Sequence, residues 1–135
     1  MQPANRHDFP DRIGEWIPER VIGRGAVAGV YLCRDAAGDA VALKWMDASM
    51  SIHFDRFERE IDVLARLEHP GIVGYRDHGI FRGRPFLVMD YIDGQDLRLF
   101  ASKLQLRPPA ERYTRTRTIG IALCEALTML HDAGL

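Results

Sequence analysis

The chain has 135 residues, 47% hydrophobic and 27% charged, which is the balance of a single soluble globular domain. Its formal net charge of −1 gives no electrostatic basis for binding nucleic acid or an anionic membrane surface. No apolar run approaches the roughly 18 residues of a membrane helix, and the N-terminal segment lacks the apolar core of a signal peptide. Two cysteines far apart in the sequence favour a reducing compartment, so the chain is expected to be cytoplasmic.

The first part of the chain is predicted to form a sheet. A loose leader is expected over residues 1–14. Short apolar runs separated by glycines or turn-forming residues then predict an antiparallel meander of three strands, over residues 20–22, 30–33 and 40–46.

A helix and two more strands are predicted next. Residues 54–68 carry apolar side chains at helical spacing, and the sequence His69-Pro70-Gly71 ends this helix. Residues 72–77 and 85–91 predict strands, joined by a turn that contains Gly79 and Gly83.

The last part of the chain is predicted to be helical. Residues 96–104 predict a short helix and residues 111–131 a long one. The centre of the long helix, residues 119–130, is apolar nearly all round, which predicts that it is buried. Strands followed by helices predict an α+β fold.

A glycine-spaced segment, Gly23-x-Gly25-x-x-Ala28-Gly29-Val30, separates the first two predicted strands. Glycines at such a place let backbone N–H groups approach phosphate oxygens without a Cβ in the way. A plain hairpin loop also uses glycines, and this alternative stays open. A dinucleotide-binding loop needs a helix directly after the glycines, whereas a strand is predicted here.

Lys44 ends the segment Val41-Ala42-Leu43-Lys44 and shares one face of the predicted strand with Ala42. Of the 18 lysines and arginines, only Lys44 and Lys103 are lysines. Because a solvated position in this chain would more often hold arginine, a lysine here favours a compact charge directed at phosphate oxygens. A surface cation remains the alternative.

Glu60 falls inside the apolar arc of the helix predicted over residues 54–68. A carboxylate on a packed face is costly unless a cation meets it, and Lys44 on the adjoining strand is the candidate. The alternative is a Glu60 whose carboxylate reaches solvent at the edge of the helix.

Further along the chain, the apolar strand that runs into Asp93-Gly94 has two interpretations. It could present backbone groups to a planar base, or it could be a core strand followed by its turn.

Taken together and in this order, these segments resemble the signature set of the protein kinase family, in the style of bacterial eukaryotic-like Ser/Thr kinases. The resemblance covers residues from about 15 to 135. Its parts are the glycine-rich loop, the third-strand lysine motif, the C-helix with its exit, the hinge and the end of the E-helix, at residues 22–31, 41–44, 56–73, 87–94 and 126–134.

The resemblance implies a kinase N-lobe, in which a five-stranded antiparallel sheet packs against a C-helix. It implies a flexible leader over 1–14, the N-lobe and hinge over 15–92, and the first helices of a C-lobe over 93–135. The implied cofactors are ATP and Mg²⁺, with the metal ligands outside this segment. The implied catalytic pair is Lys44, at the α- and β-phosphates, and Glu60, which holds it. The implied nucleotide-binding residues at the phosphates are Lys44 and, in the loop, Ile22, Gly23 and Gly25. Around the adenine they are Val30 and Ala42 above the ring, Met89 as gatekeeper, and Asp90 and Ile92 at the polar edge. Asp96 is implied near the ribose.

Two departures from the family pattern affect the expected function. The third glycine of the loop is replaced by Ala28, with Gly29 one position late, which predicts a loop tip that lies higher over the phosphates. The motifs H-R-D, D-F-G and A-P-E are not found in the sequence, and His131-Asp132 lacks the arginine.

The resemblance implies that the parent kinase, of which this chain would be one part, transfers the ATP γ-phosphate to Ser or Thr hydroxyls of a protein substrate. This chain alone is expected to hold ATP without aligning an acceptor, as a truncated kinase. A non-catalytic module that binds nucleotide or a partner, and a remnant without function, remain the alternatives.

Overall fold

The computed structural model describes residues 9–133, which divide into two compact units. Within the described residues, the first unit comprises 9–68 and 73–92, and the second comprises 69–72 and 93–133. The first unit contains all five strands and one α-helix, and the second contains two α-helices.

Five strands form one antiparallel sheet in the spatial order β1-β2-β3-β5-β4. Their bounds are β1 Ile17–Arg24, β2 Ala28–Arg34, β3 Ala40–Met46, β4 Tyr75–Phe81 and β5 Arg84–Asp90. The predicted α+β class and the five-stranded antiparallel sheet are confirmed.

The hairpin between β4 and β5 differs from the prediction in its turn. Gly79 lies inside β4, and the turn consists of Arg82 and Gly83 alone. Both turn residues have positive φ, 51° and 71°. Two-residue turns of this kind match the right-handed twist of the strands that they join.

Helix α1 spans Phe54–Leu64 and is preceded by a short 3₁₀ helix over Ala48–His53 that was not predicted. The helix ends before the predicted residue 68. The N–H of Arg66 donates to the carbonyl of Val63 at 3.0 Å, a bond between residues three apart that tightens and ends the last turn.

Different parts of the chain bury the two faces of the sheet. Side chains alternate along β3, so Val41, Leu43 and Trp45 lie on the face opposite to α1. On the other face, Phe57 and Ile61 of α1 pack against the strands. The strand residues buried beneath α1 are Ala28, Met46 and Leu87.

The segment before β1 is part of the core. Residues 1–8 of the predicted leader lie outside the described residues, but Ile13 is fully buried in the cluster opposite to α1. Phe9 packs edge-on against Tyr31, with ring centroids 5.8 Å apart. Residues 9–14 therefore cover the sheet instead of forming a loose leader.

Both cysteines are free thiols, with Cys33 buried in the sheet and Cys124 exposed. Burial, with a smaller effect from Glu19, raises the pKa of Cys33 to about 12. Cys33 is therefore an inert core side chain at neutral pH.

The second unit contains α2, Leu97–Leu104, and α3, Pro109–Asp132, which correspond to the two predicted helices. The prediction that the long helix is buried is wrong for the described structure. Ala126 is the one buried residue of α3, and Ile121, Leu123 and Leu127 are about half exposed. A helix that is apolar all round needs neighbours on every side, whereas most side chains of α3 are exposed and the loop at Gly71 lies against Ala126. None of the helices within residues 9–133 combines the length and apolar character needed to cross a membrane.

A substitution in β4 tests the packing opposite to α1. A Cβ at Gly79 would come within 2.8 Å of the Cζ atom of Phe86, whose buried ring has little freedom to move. We expect Gly79→Ala to lower the free energy of unfolding by about 1–3 kcal/mol, measured by urea denaturation. Gly25→Ala is the matched control, because its Cβ would make only an ordinary contact, 3.6 Å from the Ala28 carbonyl. Equal losses in the two variants would contradict this explanation.

Candidate functional site

The structure brings Lys44 and Glu60 together, with 2.7 Å between Lys44 Nζ and Glu60 Oε1. Alternation along β3 places Lys44 on the face that α1 covers, and α1 carries Glu60 towards it. The Lys44 ammonium also lies 5.2 Å from the centroid of the Phe57 ring, within range of a cation–π interaction. Two contacts from α1 therefore define the position of this ammonium group.

The burial of the pair bears on the two alternatives left open by the sequence. The Lys44 side chain is 23% exposed, so it is not a fully solvated surface cation. The Glu60 side chain is 49% exposed, so its carboxylate reaches solvent while it binds Lys44. Partly exposed ion pairs add little to stability, so the contribution of this pair is to hold the ammonium in place.

Apolar side chains surround Lys44 on the same face of the sheet. Val30 pairs with Lys44 across β2 and β3, and Met89 pairs with Ala42 across β3 and β5. Cross-strand partners share a face. Val30 and Ala42 do not belong to the cluster buried beneath α1, whereas Met89 packs against it.

The loop between β1 and β2 carries Gly23 and Gly25. The N–H of Gly25 donates to the carbonyl of Ala28 at 2.9 Å and closes the hairpin. Neither glycine has positive φ, and a Cβ at either position would make only ordinary contacts, 3.6 Å from its nearest neighbour. The described fold therefore gives no steric reason for glycine at these positions, and their place over a phosphate stays a prediction. Ile22, which precedes them in β1, is partly buried.

The two residues that depart from the glycine pattern both have structural roles. The methyl group of Ala28 is buried with Phe57 beneath α1, so it packs in the core, and the expected higher loop tip stays a prediction. A Cβ at Gly29 would come within 2.6 Å of the Tyr31 hydroxyl. Glycine at position 29 is therefore explained by the close packing of a core aromatic side chain.

The last residue of β5 and the residue after it are bound to neighbouring parts of the chain. The carboxylate of Asp90 accepts a hydrogen bond from Arg76 Nε, and this bond raises the pKa of the Arg76 guanidinium above its ordinary value. The N–H of Asp90 donates to the carbonyl of Gly74 at 2.9 Å. The hydroxyl of Tyr91 accepts a hydrogen bond from Arg20 Nη2 at 3.2 Å. Sequence reasoning missed the roles of Arg20, Gly74 and Arg76.

Asp96 lies in the second unit, where it caps α2. Its carboxylate accepts a hydrogen bond from the N–H of Leu99 at 2.7 Å, the usual bond of an N-terminal cap. Its place near a ribose stays a prediction. No group of three or more His, Cys, Asp or Glu side chains within residues 9–133 is arranged to hold a metal ion.

Comparison with known proteins identifies relatives of this arrangement. A model of the protein kinase domain family matches residues 16–135. The serine/threonine-protein kinase PknJ of Mycobacterium tuberculosis is 41% identical over 80 residues, which cover 56% of this chain and 14% of PknJ. A probable serine/threonine-protein kinase of Streptomyces coelicolor is 36% identical over 124 residues, which cover 85% of this chain and 18% of that protein. The chain thus spans less than a fifth of the length of these two relatives.

Solved structures share the same fold. The kinase domain of Mycobacterium tuberculosis PknI superposes with a TM-score of 0.73 at 31% identity, over 92% of this chain and 51% of that one. Rad53 residues 1–466, solved in complex with AMP-PNP, superposes with a TM-score of 0.72 at 25% identity, over 90% of this chain and 31% of that one. Because the family model matches nearly the whole chain and solved kinase domains share its sheet and helices, the chain belongs to the protein kinase domain family.

Proposed function

We propose that this chain is the ATP-binding part of a protein kinase that transfers phosphate to Ser or Thr hydroxyls. The contact between Lys44 and Glu60, on a sheet face that also carries Val30 and Ala42, is the observation that carries the proposal. The names of the relatives, which are serine/threonine kinases, and the Rad53 complex with AMP-PNP support it.

At the phosphate end, Lys44 donates hydrogen bonds from Nζ to the α- and β-phosphate oxygens. A lysine side chain is flexible, and the bond to Glu60 keeps its ammonium group at one place on the face. The backbone at Gly23 and Gly25 covers the phosphates, since no Cβ prevents its close approach. ATP, when bound, supplies the phosphoryl group and carries Mg²⁺ on its phosphates.

At the adenine end, the side chains of Val30 and Ala42 provide the apolar surface on which a planar base packs. Met89, opposite Ala42 in the sheet, limits the depth of this surface as the gatekeeper. The carbonyl of Asp90 and the N–H of Ile92 bind the polar edge of the base. Ile22 contributes apolar contact from the loop side.

We further propose that these 135 residues alone bind ATP without transferring its phosphate. The sequence contains none of the motifs H-R-D, D-F-G or A-P-E, which orient the acceptor hydroxyl and the metal ions in the family. Lys44, which Glu60 holds in place, stabilises phosphate charge, but this pair alone does not align an acceptor hydroxyl. The activity of the whole protein, its substrates and its cytoplasmic location are part of this proposal.

Calorimetric titration of the purified chain with Mg-ATP tests the binding, and transfer of labelled γ-phosphate to a general protein substrate tests the chemistry. We expect one ATP to bind per chain and no label to be transferred. A folded chain that binds no ATP would contradict the first part, and label on the substrate would contradict the second. A folded chain without ATP binding would favour a partner-binding module, for which the exposed apolar residues of α3 are the candidate surface.

A further inference from the structure

The Lys44 ammonium is held by two contacts of different kinds. Its Nζ lies 2.7 Å from Glu60 Oε1 and 5.2 Å from the centroid of the Phe57 ring. The first contact is an ion pair, and the second falls within the roughly 6 Å over which a ring face attracts a cation. Phe57 and Glu60 are separated by the i, i+3 spacing of α1, which places them side by side on one face of the helix.

The two partners differ in how firmly the structure fixes them. The Glu60 side chain is 49% exposed, so water competes for its carboxylate. Phe57 is 3% exposed, and it belongs to the buried cluster that contains Met46 and Leu87. A ring that the core already holds loses little further conformational freedom when it contacts a cation. The aromatic contact is therefore the less mobile of the two restraints.

The surroundings of Lys44 strengthen the attraction of the ring. The Lys44 side chain is 23% exposed, so water solvates only part of it, and a cation–π interaction is stronger when the cation has lost water. The ring attracts the charge as a whole, whereas the ion pair with Glu60 uses one of the three N–H donors of the ammonium. Two donors therefore remain for phosphate oxygens while the ring adds its restraint.

We propose that Phe57 is a second positioning residue for the Lys44 ammonium, and that it keeps the ammonium at the nucleotide site when the charge of Glu60 is removed. This inference rests on the proposed ATP site. The ring holds the cation on the sheet face, and Glu60 adds a hydrogen bond that sets its direction. The site is therefore expected to retain most of its ATP affinity in Glu60→Gln, provided that the aromatic ring is present.

A fluorinated side chain tests this role with little change in packing. Fluorine withdraws electrons from the face of the ring and weakens its attraction for a cation, while the shape of the side chain is nearly kept. Trifluorophenylalanine is introduced in place of Phe57, both in the wild type and in Glu60→Gln. The same replacement of Phe86 is the matched control, because Phe86 is 5% exposed in the cluster opposite to α1.

Calorimetry gives the dissociation constant of Mg-ATP for each protein. We expect Glu60→Gln alone to raise it by less than about 5-fold, and trifluorination at position 57 alone to raise it by about 2- to 5-fold. The two changes together should raise it by more than the product of their separate effects, since the ammonium then has neither restraint. Trifluorination at position 86 should leave it unchanged.

Three results would overturn the proposal. The first is a Glu60→Gln protein whose ATP affinity is the same with and without fluorine at position 57. The second is an equal loss of affinity when the fluorine is at position 86. The third is a Glu60→Gln protein that binds ATP as weakly as Lys44→Ala does, because the ring would then hold nothing by itself.

A measurement without nucleotide separates this inference from the proposed function. Lys44 and Lys103 are the only lysines of the chain, so only two lysine ammonium groups contribute to its nitrogen NMR spectrum. Nuclear relaxation of these nitrogens measures how mobile each group is. We expect trifluorination at position 57 to make the Lys44 ammonium more mobile and to leave Lys103 unchanged. If the wild type binds no ATP, the proposed function fails and this mobility alone decides the role of Phe57. A rise confined to Lys44 then supports that role, and any other result overturns it.

Discussion

Lys44→Ala is expected to remove most of the ATP affinity from a chain that keeps its fold. The ammonium group supplies charge-assisted hydrogen bonds to phosphate oxygens, and each such bond contributes about 1.5–3 kcal/mol. The dissociation constant for Mg-ATP should therefore rise by at least about 10- to 100-fold, measured by calorimetry. The fold should persist because the bond to Glu60 is partly exposed, and such pairs contribute only about 0–1 kcal/mol.

Lys103→Ala is the matched control for this result, since it removes the other lysine of the chain. Lys103 lies in α2, where its Nζ binds Gln95 Oε1 at 2.8 Å. We expect unchanged ATP affinity in Lys103→Ala. The assigned role of Lys44 is wrong if Lys44→Ala unfolds the chain, which circular dichroism would detect, or if it binds ATP as tightly as the control does.

Phe57→Ala should cause the largest loss of stability. Phe57 is 3% exposed and joins α1 to the sheet in the cluster with Met46 and Leu87. Removing a buried phenylalanine side chain costs about 3–5 kcal/mol, a large part of the 5–15 kcal/mol that stabilises an ordinary domain. Urea denaturation followed by circular dichroism measures this loss. ATP affinity should fall as well, because α1 carries Glu60.

Ile52→Ala serves as the control for the packing of α1. Ile52 precedes the helix and is 85% exposed, so its truncation should change the free energy of unfolding by less than about 0.5 kcal/mol. Similar destabilisation in both variants would show that Phe57 does not anchor the helix in the way described.

The sequence predicted those parts of the fold in which local pattern and tertiary packing agree. Apolar residues occupy both faces of β3, and its observed bounds, Ala40–Met46, match the prediction. The contact of Lys44 with Glu60 followed from the helical wheel, because a carboxylate within an apolar arc requires a cation.

Other features depend on contacts that a local pattern does not contain. The apolar pair Ile72-Val73 predicted a strand from residue 72, but the N–H of Ile72 donates to the His69 carbonyl in a turn and β4 begins at Tyr75. The contact of Arg76 with Asp90 depends on the register of β4 and β5, which shifts between Tyr75 and Asp77. The burial of Ile13 had no periodic signal, because polar residues and a glycine surround it.

The segment that covers the sheet opposite to α1 has a consequence for how the boundaries of such domains are drawn. Family similarity begins at residue 16, whereas Phe9 and Ile13 already pack into the hydrophobic core. A chain shortened to the family boundary would keep every strand and every proposed nucleotide contact. It would nevertheless expose the apolar side chains beneath Ile13, including Tyr31 and Phe86, and such a patch promotes aggregation. The segment that keeps the hydrophobic core of this domain covered thus begins upstream of the segment that identifies its family.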